Sequence, residues 1–454
     1  MSTHHSSDGI SRLGELLRYE QTLGLPASAL PPPVDPRRRR RRRLRTALIA
    51  GGTALVLAAS AGGYSAWTLT APIGTATLVS DAPIVPVSDP VQLDLGSDAA
   101  AAAVSLVSGG ADYLPAEASG MWATLGGDEP RPIASVTKLI TALVILDAKP
   151  LADGEDGPTI TFSRADHALY DKYYVQGATI AAMPTGSSLS QHDALEAMLI
   201  VSACNYAEAV SNWAYGSQGA FLGAARAWLA ANGLTGTTIV EPTGLDARNT
   251  STPTDLIALG KIALANPVIA EIAAMPSLNV PNIPPTLATN TLLGVDGVTG
   301  LKTGTLEGTG SNLLFSATVD VGLVEPLVVV GVFLGGYTRE SVNLDVRGLL
   351  ESIRSGFHQV ELAAAGDRVG TYSTPWGESA DVVLGEGASL LTWSDTPITS
   401  TFDLDQLTSA STGDVVGEMT WATGVDTTTV PLVLDGDLEP PDAWWRLTHP
   451  AELG

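Results

Sequence analysis

The sequence predicts an α+β chain that ends in a small all-β module. Three observations predict it. The first is an apolar run, Leu139 to Leu146, that reads as a buried helix, followed by further helix-patterned runs as far as Trp213. The second is a pair of strand runs, Asn312 to Val319 and Leu327 to Leu334, closed by an amphipathic helix from Arg339 to Phe357. The third begins near Val360. Short alternating runs (Asp381 to Leu384, Leu390 to Trp393, Val415 to Trp421, Thr428 to Leu434) are separated there by Gly, Asp, Ser and Thr turns at regular spacing.

At 454 residues the chain is long enough for two folded domains plus extra segments, and 45% apolar residues can build a large core. The net charge is −24, but the signs are separated. Residues 1–67 hold ten of the 24 basic and four of the 48 acidic residues, which leaves −30 on the remainder. Such a surface repels polyanions, so nucleic acid is not expected as a partner. With Cys204 as the single cysteine, no intrachain disulfide exists, and the folded part must rely on its core. The six histidines show no ligand spacing, and His4 and His5 lie in a polar tail. Neither a metal nor a cofactor is expected.

In chain order, residues 1–36 carry a short amphipathic piece, Ile10 to Leu23, and the proline patch Pro31-Pro32-Pro33. They read as a mostly flexible tail. Arg37 to Arg43 is an unbroken arginine run. Alone it would suggest a solvated or polyanion-binding tail, but the next segment decides otherwise. Thr46 to Trp67 carries no charge over 22 residues, about 33 Å as a helix and enough to cross a bilayer. Arginines on its N-terminal flank place that end in the cytoplasm and the rest of the chain outside. Signal-peptide cleavage near Ala59-Ser60-Ala61 is the competing interpretation, but the preceding tail is long for a signal sequence. The expected organisation is a basic cytoplasmic tail (1–43), a membrane anchor (44–67), an extracellular linker (68–97), a main domain (98–359) and a β-rich domain (360–454).

Thr68 to Pro90, rich in Pro, Ser, Thr and Ala, suits an extended spacer. Ala103 to Val107 and Gly120 to Leu125 are short strand candidates, and Pro132 suits a helix start. Ser190 and Asp193 make a capping box ahead of the apolar-periodic Ala194 to Val201. Ser202-Ala203-Cys204-Asn205 follows, a polar cluster before a second helical run through Trp213. Such a cluster fits a loop at a site or an ordinary helical hairpin. Pro242-Thr243-Gly244-Leu245 is a turn signal. Thr252 caps a helix with Pro253 at its first position and Asp255 at its third. Ala443 to Leu447 is a last packed element, too short and too weakly basic to lie along a membrane.

Ser135 and Lys138 stand one turn apart at the start of the apolar helix, on the same face. A buried amine with no carboxylate partner is costly in its charged form. A neutral amine can take the serine's proton and make a nucleophile. The plain alternative is a capping serine beside a snorkelling lysine. Two later pieces favour the chemistry: Ser202-x-Cys204, then Lys302-Thr303-Gly304. The ordered set Ser-x-x-Lys, Ser-x-Asn-like and Lys-Thr-Gly is that of β-lactamases and penicillin-binding proteins.

The chain resembles the low-molecular-weight penicillin-binding proteins of the serine D-alanyl-D-alanine carboxypeptidase family, over roughly residues 98–360. The residues that carry the resemblance are Arg131-Pro132-Ile133-Ala134-Ser135-Val136-Thr137-Lys138 with the Leu139 to Leu143 run after it, Pro242 to Asp246, and Gly300-Leu301-Lys302-Thr303-Gly304-Thr305. The resemblance implies a transpeptidase-type fold, helices on an antiparallel sheet, with a β-rich domain behind it. It implies that Ser135 attacks the penultimate D-alanine carbonyl of a peptidoglycan stem peptide and is acylated. Lys138 would be the general base, and Ser202 would relay a proton to the leaving D-alanine. Lys302, on an inner strand, would bind the terminal carboxylate with Thr303. Gly304 would leave room for substrate, and the N–H groups of Ser135 and Thr305 would form the oxyanion hole. β-Lactam antibiotics would be covalent inhibitors.

One position departs from the family. Cys204 stands where the family has asparagine, within the substrate-binding set, and a thiol is a weak donor and acceptor. Asn205 is the alternative amide. The expected function is a serine-type D-Ala-D-Ala carboxypeptidase anchored in the cell membrane. The alternative is a weakly active or inactive homologue that binds the cell wall. A β-lactamase or endopeptidase is a third reading. The first of these lacks a separate, well-placed glutamate for deacylation, since Glu241 sits in the Pro242 turn.

Overall fold

The structure, a computed structural model, describes residues 36–81, 85 and 87–453, so Ile10 to Leu23, the proline patch and His4 and His5 lie outside the described residues. It forms two compact units: Ala76–Glu439, and the chain up to Thr75 together with Pro440–Gly454.

In the smaller unit one helix, Pro36–Thr70, takes in both the arginine run and the apolar segment. Arginine is a good helix former, so the charge run does not interrupt it. Among the described residues this is the one unbroken helix long and apolar enough to cross a membrane. The short helix Ala443–Thr448, capped by Asp442 Oδ1, packs against it. Tyr64 donates to the Leu447 carbonyl at 2.8 Å, and Arg446 Nη1 donates to the Ala71 carbonyl at 2.9 Å. A basic side chain there serves carbonyls that the helix end leaves unpaired.

The larger unit is built on a five-stranded antiparallel sheet, in the order Val298–Leu306, Gly310–Val319, Leu327–Gly336, Ala101–Ser108, Ala123–Leu125. Residues 311–317 of its second strand are buried without interruption, because both faces of the sheet are covered. Leu313, Phe315 and Phe333 pack with Val346, Leu349, Leu350 and Ile353 of the helix Arg339–Gly356. Leu314, Val330 and Val332 on the opposite face pack in a core with Leu139, Ile140, Leu256 and Ile257. That second core holds the helix Thr137–Ala148, buried from Thr137 through Leu146 as its all-round apolar pattern predicts. The helices Gln191–Leu199, Cys204–Tyr215 and Gln218–Ala231 belong to the same core.

The predicted caps are in place. Ser190 and Asp193 form a capping box, and Thr252 accepts from Asp255 N with Pro253 at the first helical position. Pro132 differs. It lies in a two-residue strand, Arg131–Pro132, paired with Thr250–Ser251, and not at a helix start. The chain is held extended there because Asn312 Nδ2 donates to the Pro132 carbonyl at 3.1 Å and Ile133 N donates to the Asn249 carbonyl at 3.0 Å.

From Phe357 to Asp435 the regular elements are all β strands. A six-stranded sheet runs Thr77–Ser80, Arg368–Ser373, Ser379–Leu384, Thr427–Asp435, Val415–Ala422, Thr399–Leu404, beside the pair Phe357–Ala363 and Ala388–Trp393. Its core includes Tyr372, Val382, Trp421 and Leu432. The stretch expected as spacer thus carries a strand. Thr77-Leu78-Val79-Ser80 is β-prone, and pairing with Arg368–Ser373 satisfies its backbone. The structure also gathers His192, Asp193 and Glu196, which the sequence did not flag. His192 lies 3.0 Å from Glu196 and 3.5 Å from Glu271, and Asp193 serves the Ser190 cap.

The helix Pro253–Ala265 meets the sheet at Gly260, where an added Cβ would lie 2.5 Å from Val330 Cγ1 and 3.3 Å from Leu314 Cδ1. Gly260→Leu is expected to destabilise the larger unit by about 1–3 kcal/mol through overpacking. Chemical denaturation measures this, and an unchanged midpoint would contradict the close contact.

Candidate active site

Ser135 lies in a short 3-10 turn, Ala134–Val136, that runs directly into the helix Thr137–Ala148. Lys138 follows one turn on and is fully buried. Its Nζ lies 2.9 Å from Ser135 Oγ and donates to the Thr243 carbonyl at 2.6 Å. One turn further, Thr141 Oγ1 donates to the Pro242 carbonyl at 2.9 Å. Two neighbouring carbonyls of the Pro242 turn therefore face two successive turns of the Ser135 helix. Gly244, at φ +84°, lies so close to this segment that a Cβ would sit 1.9 Å from the Ala134 carbonyl oxygen.

Lys302 comes from the strand Val298–Leu306. The resemblance implied an inner strand, but the sheet order puts it at the edge. An edge strand keeps one row of backbone groups free for an extended ligand. Lys302 is 1% exposed, and its Nζ donates to the Thr303 carbonyl at 3.2 Å. Burial holds its pKa well below the ordinary lysine value, the charges of Lys138 and then Arg339 push the same way, and Cys204 opposes them. Thr303 Oγ1 is 2.7 Å from Thr289 Oγ1. At Gly304 the strand meets the serine turn: a Cβ would lie 2.8 Å from the Ile133 carbonyl oxygen and 3.0 Å from Ser135 N. The missing side chain thus makes room first for the protein's own backbone. Thr305 Oγ1 accepts from Arg339 Nε at 3.0 Å.

Ser202 precedes the helix Cys204–Tyr215 in the left-handed region, φ +66°. Its hydroxyl is buried and has no hydrogen-bond partner. A buried hydroxyl with nothing to bond is uncommon outside functional sites. Cys204 is buried, and its N–H donates to the Thr179 carbonyl at 2.8 Å. Asn205 does not supply the missing amide. Its Oδ1 accepts from Ala181 N at 3.1 Å and its Nδ2 donates to the Ala181 carbonyl at 2.8 Å, so both ends are taken.

The sequence pattern passes over Thr289 and any part for Arg339 in the site, and it reads Thr243 and Glu241 only as members of the Pro242 turn. Arg339 left one signal: a cation in the first turn of a helix opposes the helix dipole and calls for another reason to be there.

This architecture and this grouping of serine and two lysines define a penicillin-binding-protein fold. Penicillin-binding protein 6B from Escherichia coli superposes with a TM-score of 0.51 at 20% identity, covering 79% of this chain and 100% of that one. The model of the peptidase S11 family, D-alanyl-D-alanine carboxypeptidase, matches residues 121–333. A D-alanyl-D-alanine endopeptidase of Pseudomonas aeruginosa is 31% identical over 230 residues, 49% of this chain and 70% of that protein. The D-alanyl-D-alanine carboxypeptidase DacC of Escherichia coli is 30% identical over 199 residues, 42% of this chain and 48% of that protein. The chain belongs to the peptidase S11 family.

The contact at Gly304 yields a direct expectation. Gly304→Ala should lower the melting temperature, because the methyl group presses on the Ile133 carbonyl and the Ser135 amide. A melting temperature equal to that of the wild type would show that the strand and turn are not in contact.

Proposed function

We propose that this protein is a serine D-Ala-D-Ala carboxypeptidase that trims peptidoglycan stem peptides. The observation that carries this reading is the 2.9 Å contact between Lys138 Nζ and Ser135 Oγ, beside a second buried lysine at position 302. In the neutral state Lys138 accepts the Ser135 proton as Oγ bonds to the penultimate D-alanine carbonyl carbon. The resulting oxyanion lies at the Ser135 and Thr305 N–H groups, where fixed donors stabilise charge as it develops. The intermediate collapses by breaking the C–N bond. The proton passes to the leaving amine by way of Ser202, whose unpartnered hydroxyl suits a relay. Water then hydrolyses the ester and restores Ser135.

Lys302, with Thr303 and the exposed Arg339, is the cationic side of the site and takes the terminal carboxylate. In a chain of net charge −24 a local positive pocket orients an anionic peptide end. Cys204 lines the site in place of the family's amide and leaves the substrate's peptide group one strong partner short. β-Lactams, which carry a carboxylate beside a reactive amide, would acylate the same serine. The helix Pro36–Thr70 would anchor the protein as a single span, with the arginine run in the cytoplasm and the site outside.

The endopeptidase name of the Pseudomonas aeruginosa relative favours a second reading, cleavage of the cross-link between two stem peptides. Free D-alanine released from a pentapeptide supports the first reading, and monomers released from cross-linked dimers support the second.

Labelled penicillin should acylate the folded wild-type protein, and Ser135→Ala should abolish both label and product. A folded wild-type protein that takes no label would end this proposal. The lowered pKa of Lys302 sets a pH dependence. A lysine held below its ordinary value is lost as a cation at a lower pH, and a bound carboxylate favours its protonated form. KM for a peptide with a free terminal carboxylate should therefore rise with pH well before the ordinary lysine range. Binding should also take up protons, as calorimetry in two buffers of different ionisation enthalpy would show. A KM that stays flat to about pH 10, with no proton uptake, would contradict the assignment.

A further inference from the structure

We infer that Glu241 is a positioning residue that aims the Lys138 amine at Ser135 through a single peptide group. The inference rests on the reading of Ser135 and Lys138 as the reacting pair. Glu241 stands immediately before the Pro242 turn, and its half-buried carboxylate folds forward over the turn's N–H groups. Oε2 accepts from Thr243 N at 2.7 Å. Oε1 accepts from Gly244 N at 2.6 Å, from Asp246 N at 3.4 Å and from Asn249 Nδ2 at 2.9 Å.

Two of these donors have partners on the far side of their own peptide planes. The Gly244 N–H and the Thr243 carbonyl belong to one peptide group. Its N–H is held by Glu241, and its carbonyl receives Lys138 Nζ at 2.6 Å. The Thr243 N–H and the Pro242 carbonyl belong to the preceding peptide group. Its N–H is held by the other oxygen of Glu241, and its carbonyl receives Thr141 Oγ1 at 2.9 Å. One carboxylate thus clamps two consecutive peptide planes and turns both carbonyls toward the Ser135 helix. A hydrogen bond to a charged acceptor is short and strong, and it polarises the peptide it binds, which makes the opposite carbonyl a better acceptor. Lys138 spends one N–H on that carbonyl, which fixes the direction in which the nitrogen faces Ser135 Oγ, 2.9 Å away.

Asn249 extends the clamp. Its Nδ2, besides reaching Glu241, lies 3.2 Å from Thr137 Oγ1, and its backbone carbonyl accepts from Ile133 N. The residues on either side of Ser135 are therefore tied to the same carboxylate. All four donors need acceptor oxygens. A glutamine keeps one oxygen and turns an NH2 group toward a backbone N–H, so one clamp is lost without a change in size.

The test compares Glu241→Gln with wild-type protein in the full-length chain, with rates expressed per folded molecule. Acylation of Ser135 by labelled penicillin is expected to slow at least tenfold. The half-saturating penicillin concentration is expected to stay within about threefold, so that the loss falls on the maximal rate. A merely structural role would lower the folded fraction and leave the rate per folded molecule in place. A per-molecule maximal rate within twofold of wild type would overturn the inference. A crystal structure of the variant decides independently of activity. A 243–244 peptide turned away from Lys138 supports the clamp, and an unchanged 2.6 Å contact refutes it. A wild-type protein that takes no label would count against the proposed function, and the crystal structure would still decide the clamp.

Discussion

Two buried amines with no carboxylate beside them set the terms for the rest of this structure. Lys138 and Lys302 are both at most 1% exposed, and neither has an acidic side chain within ion-pair distance among the described residues. Burying an unpaired ammonium is costly, so each nitrogen is met by neutral oxygens: Thr243 and Ser135 for one, the Thr303 carbonyl for the other. A carboxylate at either position would satisfy the charge and hold the amine in its protonated form. In a chain with twice as many acidic as basic residues, keeping acids away from these two amines is itself a strong constraint. Glu241 reaches Lys138 through an intervening peptide group.

The amines can be held this way because each sits on a rigid element locked to the others by backbone contacts. The serine turn is tied to the Pro242 turn by Asn249 and to the sheet by Asn312. Asn312 donates to the Pro132 carbonyl at 3.1 Å and accepts from Gly335 N at 2.8 Å. Gly304 and Gly244 allow the strand and the turn to approach the Ser135 backbone closer than any side chain permits. Sites carried by packed helices and strands hold their geometry better than sites on loops.

Much of this was legible before any coordinates. The apolar helix after Ser135, the caps at Ser190 and Thr252, the paired strands after Lys302 and the regular β runs after Val360 all rest on local periodicity or local capping chemistry. Tertiary pairing escaped that reasoning. Pro132 looks like a helix start, but Thr250–Ser251 and Asn312 pull it into a strand. Thr77–Ser80 looks like spacer until Arg368–Ser373, nearly 300 residues later, supplies its partner. The edge position of the Lys302 strand depends on where Ala101–Ser108 joins the sheet, which its own residues do not encode. Asn205 looked available as an amide because its bonds to Ala181 are made across a loop. The contacts of Glu241, which reads in the sequence only as part of a turn, and of Arg339 escape for the same reason: what they do depends on which groups lie next to them.

Cys204 carries a last consequence. A thiol climbs the oxidation ladder when its thiolate meets an oxidant, and both conditions require access. Here the sulfur is 1% exposed at the start of a packed helix. With no second cysteine in the chain, it has no resolving thiol with which to close an intramolecular disulfide. The packing that buries this sulfur therefore also keeps peroxide from it, and the one cysteine of the chain stays a thiol without a disulfide partner to protect it.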